Sequence, residues 1–169
     1  MKKKNLVSLV LISILGAGVY TLIAGEAAAT SPSSRKSEGT FIITVTAGES
    51  TFQELLTLHE GGTISETNTT IHANSASEFF PFNGSDGYGA WERGFGGTVV
   101  LKFVKLLFDG ETNAHVGYLV VDATAIIDGD DFTNLESDVN ILIGPDLFDP
   151  LEIIPLGPTD AVGRRITVE

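Results

Sequence analysis

The chain of 169 residues contains no cysteine, one methionine and one tryptophan, and its 10 Lys and Arg are outnumbered by 22 Asp and Glu. Without cysteine there is no disulfide, no thiol nucleophile and no thiolate metal site. A bacterial lipid anchor is excluded as well, since it needs a cysteine at the processing point. Burial alone must hold the fold, which a domain of this length can manage. The shortage of positive charge counts against nucleic acid and anionic membrane surfaces as partners, because both are polyanions. Also missing are a Gly-x-Ser-x-Gly elbow, a phosphate-binding glycine loop and a His-Glu-x-x-His zinc motif. The reading leans against an enzyme, and no cofactor and no metal are expected.

What is present begins with an export signal. Lys2, Lys3 and Lys4 precede an apolar stretch from Leu6 to Ala24, and small residues follow at Ala27, Ala28 and Ala29. This pattern reads as a cleavable signal peptide over residues 1–29. A retained membrane anchor is the alternative, since Leu6 to Ala24 is nearly long enough to span a bilayer. Gly16, Gly18 and the absence of a basic stop beyond them argue against it. The form looks bacterial and implies a secreted or cell-envelope location, periplasmic or extracellular, with no stable membrane insertion after cleavage. Losing Lys2, Lys3, Lys4 and Glu26 leaves 7 Lys and Arg against 21 Asp and Glu. Such an acidic surface favours solubility and at most loose cation binding.

Residues 30–38, TSPSSRKSE, are polar and without periodicity and read as a flexible leader. From Gly39 to Glu169 a single domain follows, in which runs rich in Val, Ile, Thr and Phe alternate with Gly, Asp and Asn clusters. Eight strands are expected: Thr40 to Thr46, Phe52 to His59, Thr63 to His72, Tyr88 to Arg93, Thr98 to Phe108, Val116 to Ile127, Phe132 to Ile143 and Arg164 to Val168. Residues 50–58 also admit a helical turn or two. Short Gly-containing turns at 60–62, 109–113 and 128–131 make the neighbours antiparallel hairpins, which rules out a parallel sheet with long crossovers. Thr98 to Phe108 and Val116 to Ile127 are apolar on both faces, and closure removes sheet edges. The expected fold is therefore all-β, a closed or nearly closed antiparallel barrel of about eight strands, with a sandwich as the alternative. Residues 73–87, with Phe79, Phe80 and Phe82 around Pro81, read as a plug or lid. Residues 144–163, with four prolines, read as an extended edge segment.

Among local motifs, GlyTyrGlyAlaTrpGluArgGly at 87–94 is the most specific. Alternation places Gly89, Trp91 and Arg93 on one face, so that Arg93 either covers a core Trp91 or helps it line a ligand cavity. Lys102 and Asp122 lie about equally far from the centre of the 109–114 turn, and a plain hairpin register sets them nearly opposite. Outside the barrel such a pair contributes little; inside it would be a desolvated polar spot. The histidines His59, His72 and His115 read as turn or strand-end residues. Asp128, Asp130 and Asp131 read as a hairpin turn, since no calcium-loop template follows them. The glycosylation sequons at Asn68 and Asn83 matter only in a eukaryotic secretory route.

Gly89-Ala90-Trp91, the late arginines Arg164 and Arg165 and the β-meander resemble the lipocalin or calycin pattern. In that pattern the Trp of a Gly-x-Trp closes one barrel end under a late Arg. The triplet departs in position, since about three strands precede it here. In length and strand pattern Gly39 to Glu169 is also similar to the eight-stranded barrels of allene oxide cyclase and dirigent proteins. These resemblances imply an apolar interior that binds or steers a small hydrophobic molecule. The first functional expectation is thus a binding module with Trp91, Phe103 and Tyr118 as wall candidates and Arg93, Lys102 and Asp122 as polar candidates. The second is a cofactor-free cyclase or isomerase that works by shaping an apolar substrate in a dry cavity. The third is a structural or interaction domain with a filled core. A homo-oligomer is compatible with each.

Overall fold

In the computed structural model, residues 37–69 and 81–168 are described. The expected signal peptide, most of the leader, His72 and most of the expected 73–87 plug lie outside them. Ten strands form: β1 (Gly39–Ala47), β2 (Ser50–Leu58), β3 (Thr63–Asn68), β4 (Phe82–Gly84), β5 (Gly87–Arg93), β6 (Thr98–Asp109), β7 (His115–Asp128), β8 (Asp131–Ile143), β9 (Glu152–Gly157) and β10 (Asp160–Arg165). No α-helix occurs among the described residues, and residues 50–58, which also admitted a helical turn, form a strand.

The strands pair antiparallel in the order β10-β1-β2-β3-β5-β6-β7-β8, and β10 returns to pair with β8. The result is a closed eight-stranded antiparallel barrel, an architecture shared with lipocalin-like proteins. Closure spares the barrel wall an open edge, which suits a chain that has no disulfide to oppose edge pairing.

β8 is long enough to serve two partners. Its first residues pair with β10 through Phe132↔Gly163, and its last ones with β9 through Ile141↔Ile154. Between β9 and β10 the ladder is interrupted, and Thr159 is instead held by Asn134 Nδ2 and Ser137 Oγ, which donate to its carbonyl at 2.8 and 3.0 Å. β4 extends β5 in the same manner along β6, with Ser85 between them. Ser85 N donates to the Leu106 carbonyl at 2.9 Å, and Leu106 N donates to Ser85 Oγ at 3.0 Å.

One expected strand is placed differently. The last barrel strand is Asp160–Arg165 rather than Arg164 to Val168. The segment 144–163, expected to be an extended edge segment, contains the edge strand β9, and its last residues begin β10. Pro155 suits β9, which is paired on one side only in the sheet order and can spare an N–H.

Alternation along each strand sends Phe41, Ile43, Leu56, Leu58, Ile64, Trp91, Val99, Leu101, Phe103, Ala125 and Phe132 inward, where they form one buried cluster. Phe41 and Phe132 meet with ring centroids 5.8 Å apart across the closure seam.

Candidate functional site

The two barrel ends differ. At the end formed by the 59–63, 94–97 and 128–131 turns, the mouth is sealed by side chains. Trp91 is buried, and its Nε1 donates to the His59 carbonyl at 3.0 Å. The Arg93 guanidinium lies 5.9 Å from the Trp91 ring centroid and pairs with Glu38 at 2.7 Å. Arg165 packs on Phe41 at 4.6 Å, donates to the Glu38 carbonyl and pairs with Asp130 at 3.3 Å. The late Arg165 therefore caps Phe41, while Trp91 is covered by Arg93 of its own strand, so the closure of Trp91 under a late arginine that the resemblance implied does not form.

Toward the opposite end the interior carries a polar cluster. Glu66 on β3 and Lys105 on β6 are both inward and shut off from solvent, with Lys105 Nζ 2.5 Å from Glu66 Oε2. Gly87 stands between them: a Cβ there would come within 2.7 Å of Glu66 Oε2, 2.9 Å of Phe103 Cδ2 and 3.3 Å of Lys105 Cε. The missing side chain is what lets the two charged groups meet. Glu54 on β2 completes the cluster, opposite Asn68 on β3 and Ile43 on β1. Its carboxyl is densely surrounded by protein and lies near enough to Glu66 for the two to act on each other, although the residue keeps limited contact with solvent.

Burial pushes the Glu54 carboxyl up to about 8, the neighbouring Glu66 adds to this, and Lys105 opposes it. Burial also raises Glu66, against the pull of the Lys105 ammonium and hydrogen bonds from Lys105 and Asn68, while Asp86 adds to the rise. Two buried carboxyls facing one ammonium cannot both stay ionised without leaving an uncompensated negative charge. A shared proton makes the three groups neutral together, and at neutral pH the carboxyl pair keeps one.

The residues expected from the sequence divide between the two faces of the wall. Trp91 and Phe103 belong to the interior cluster. Lys102 and Asp122 stand opposite each other in the β6–β7 register, 3.0 Å apart, and both are substantially exposed on the outer face. With Ala90, Glu92, Val100 and Glu136 they line an open outer groove of about 390 Å³. Tyr118, expected in the interior wall, shares a face with the exposed Leu106, and its hydroxyl donates to the Pro145 carbonyl at 2.9 Å. His59 bonds Ser65 Oγ at 2.9 Å, and His115 stacks edgewise on Phe108 and Tyr118. The sequence reading passed over Glu54, Glu66 and Lys105. Their signal was a charged residue at the inward parity of a strand: Phe52-Glu54-Leu56, Ile64-Glu66 and Leu101-Phe103-Lys105.

No protein-family model matches the chain, and no significant match to a curated protein or a solved structure is found.

Proposed function

We propose that the protein is an exported β-barrel module that binds a small hydrophobic molecule in its interior. The observation that supports this reading most is the cluster of Glu54, Glu66 and Lys105 set among apolar interior residues, with Glu54 as its contact with solvent. Buried charges are a costly way to stabilise a core, since apolar residues of similar volume usually do as well or better. Ionisable groups of shifted proton affinity in such surroundings are commoner at working sites than elsewhere. The sealed end is filled by the protein's own side chains, so the ligand belongs near Glu54, with its body against apolar interior residues and its polar atom at the cluster. Native mass spectrometry and calorimetry of the exported chain with fatty acids, terpenoids and carotenoids test this. Saturable binding of one compound per chain is expected, and no binding by any class would leave a structural domain with a filled core.

A cofactor-free cyclase or isomerase is the second reading, and the protonated Glu54 favours it. A carboxylic acid kept neutral at pH 7 inside a dry site is suited to general acid catalysis. Replacing Glu54 by Gln separates the two readings, since it would spare binding and abolish turnover.

A further inference from the structure

On the basis of the binding reading, we propose that the ligand is an uncharged apolar molecule with an oxygen acceptor, a ketone, ester or alcohol. The Glu54 carboxyl and the Lys105 ammonium recognise that oxygen and discriminate against anions. Three observations lead here. The first is charge balance. The cluster holds two carboxyls and one ammonium in the interior, with Asp86 acting on Glu66 as a further negative charge. With one proton kept by the carboxyl pair the three groups are neutral together, and a ligand carboxylate would bring in a negative charge that the Lys105 ammonium, already paired with Glu66, does not balance.

The second is donor count. The ammonium has three N–H groups, its contact with Glu66 uses one, and no further hydrogen bond to it is present among the described residues. Buried donors are rarely left unpaired, and a neutral oxygen can take one without bringing charge into the interior. The third is the surroundings. Glu54 faces Ile43 on β1, which is opposite Gly163 on β10, while Leu56 and Phe103 lie on the same interior face. Neither β1 nor β10 supplies a charge at this level that could neutralise an incoming anion. The high proton affinity of Glu54 agrees, because it leaves an acid hydrogen available to the ligand oxygen at neutral pH.

A matched series on one carbon skeleton tests the proposal on the exported chain: dodecan-2-one, dodecanol, dodecanoate and dodecylamine, titrated by calorimetry at pH 7. The ketone or the alcohol is expected to bind saturably, with dodecanoate roughly 100-fold weaker. Ketone binding should weaken above pH 8, where Glu54 loses its proton beside Glu66, Asp86 and Lys105. Glu54→Gln keeps an N–H donor and should keep ketone binding while losing that pH dependence, whereas Glu54→Leu should lose the binding. Circular dichroism confirms that both variants fold. Dodecanoate or dodecylamine binding as tightly as the ketone would overturn the proposal and leave the binding reading intact. Absence of binding by all four, and by every class of the wider panel, would overturn both.

Discussion

Lys105 Nζ lies 2.5 Å from Glu66 Oε2 with both side chains closed to solvent, an ion pair built into the wall of an apolar barrel. The pair spans β3 and β6 across β5, whose Gly87 leaves the room between them. Removing one partner strands the other in a low-dielectric interior, whereas removing both strands neither. Lys105→Met alone should therefore cost about 3–5 kcal/mol, softened where Glu66 takes up a proton. The double variant Glu66→Leu with Lys105→Met should recover most of that loss. Urea unfolding of the wild type and the two variants checks it; a double variant as weak as the single one would mean that packing, not charge, is at stake.

Stability should fall as the pH rises through the range set by Glu54. Its folded-state value of about 8 lies above the 4.5 of the free group, so between these limits the folded chain holds a proton that the unfolded chain has released. The contribution is complete below 4.5, declines between 4.5 and 8 by at most about 1.4 kcal/mol per pH unit, and is gone above 8. Glu66, also raised, acts in the same direction. The exposed Asp109 acts oppositely at low pH. Its carboxyl is lowered by hydrogen bonds from Thr112 and Glu111, so that part of the stability is lost on acidification. Denaturant midpoints measured across pH 4.5 to 8 should fall in the wild type and flatten in Glu54→Gln.

The outer pair makes the contrast. Lys102 and Asp122 are 3.0 Å apart, with side chains 59% and 47% exposed, so water screens them. Asp122→Asn should change stability by only about 0.2–1 kcal/mol, and the effect should vanish in high salt. A larger, salt-resistant loss would show that the groove they line is more than hydrated surface.

The same hairpin shows how much the sequence disclosed. The turn chemistry at 109–113 and the run lengths of β6 and β7 set the register that brings Lys102 opposite Asp122, and this was readable because hairpin pairing is local. Barrel closure was suggested by strands apolar on both faces. The position of β10 was not, because Ala161 and Gly163 carry little hydrophobic signal and the strand is fixed by distant partners on β1 and β8. The cluster of Glu54, Glu66 and Lys105 was hidden for a similar reason. Each residue's inward parity is legible on its own strand, but their meeting depends on the register of four strands, β2, β3, β5 and β6, and on the gap at Gly87. Tyr118 was misplaced by parity: it pairs with the outward Leu106, not with the inward Lys105 or Leu107.

Gly89 should tolerate substitution less well than Gly87, although the two stand on the same face of β5. At Gly87 a methyl group would press mainly on side-chain atoms of Glu66, Phe103 and Lys105, which can shift a little. At Gly89 it would run into the Lys102 carbonyl oxygen and come within 2.6 Å of the Phe103 Cα, both backbone atoms of the adjacent strand. Relief there requires β5 and β6 to separate, next to the stretch in which Trp91 pairs with Leu101. Gly87→Ala should cost about 1–3 kcal/mol, as overpacking does, and should perturb the Glu66–Lys105 contact without opening the barrel. Gly89→Ala should cost more and loosen the seat of Trp91. Tryptophan emission reports the difference, because Trp91 is the only such residue and is buried under Arg93. In the wild type and Gly87→Ala the emission should be blue-shifted relative to the unfolded chain; in Gly89→Ala it should move toward the red before global unfolding begins. Equal stability and unchanged emission in both variants would show that β5 and β6 can part at Gly89 without strain, contrary to the packing described above.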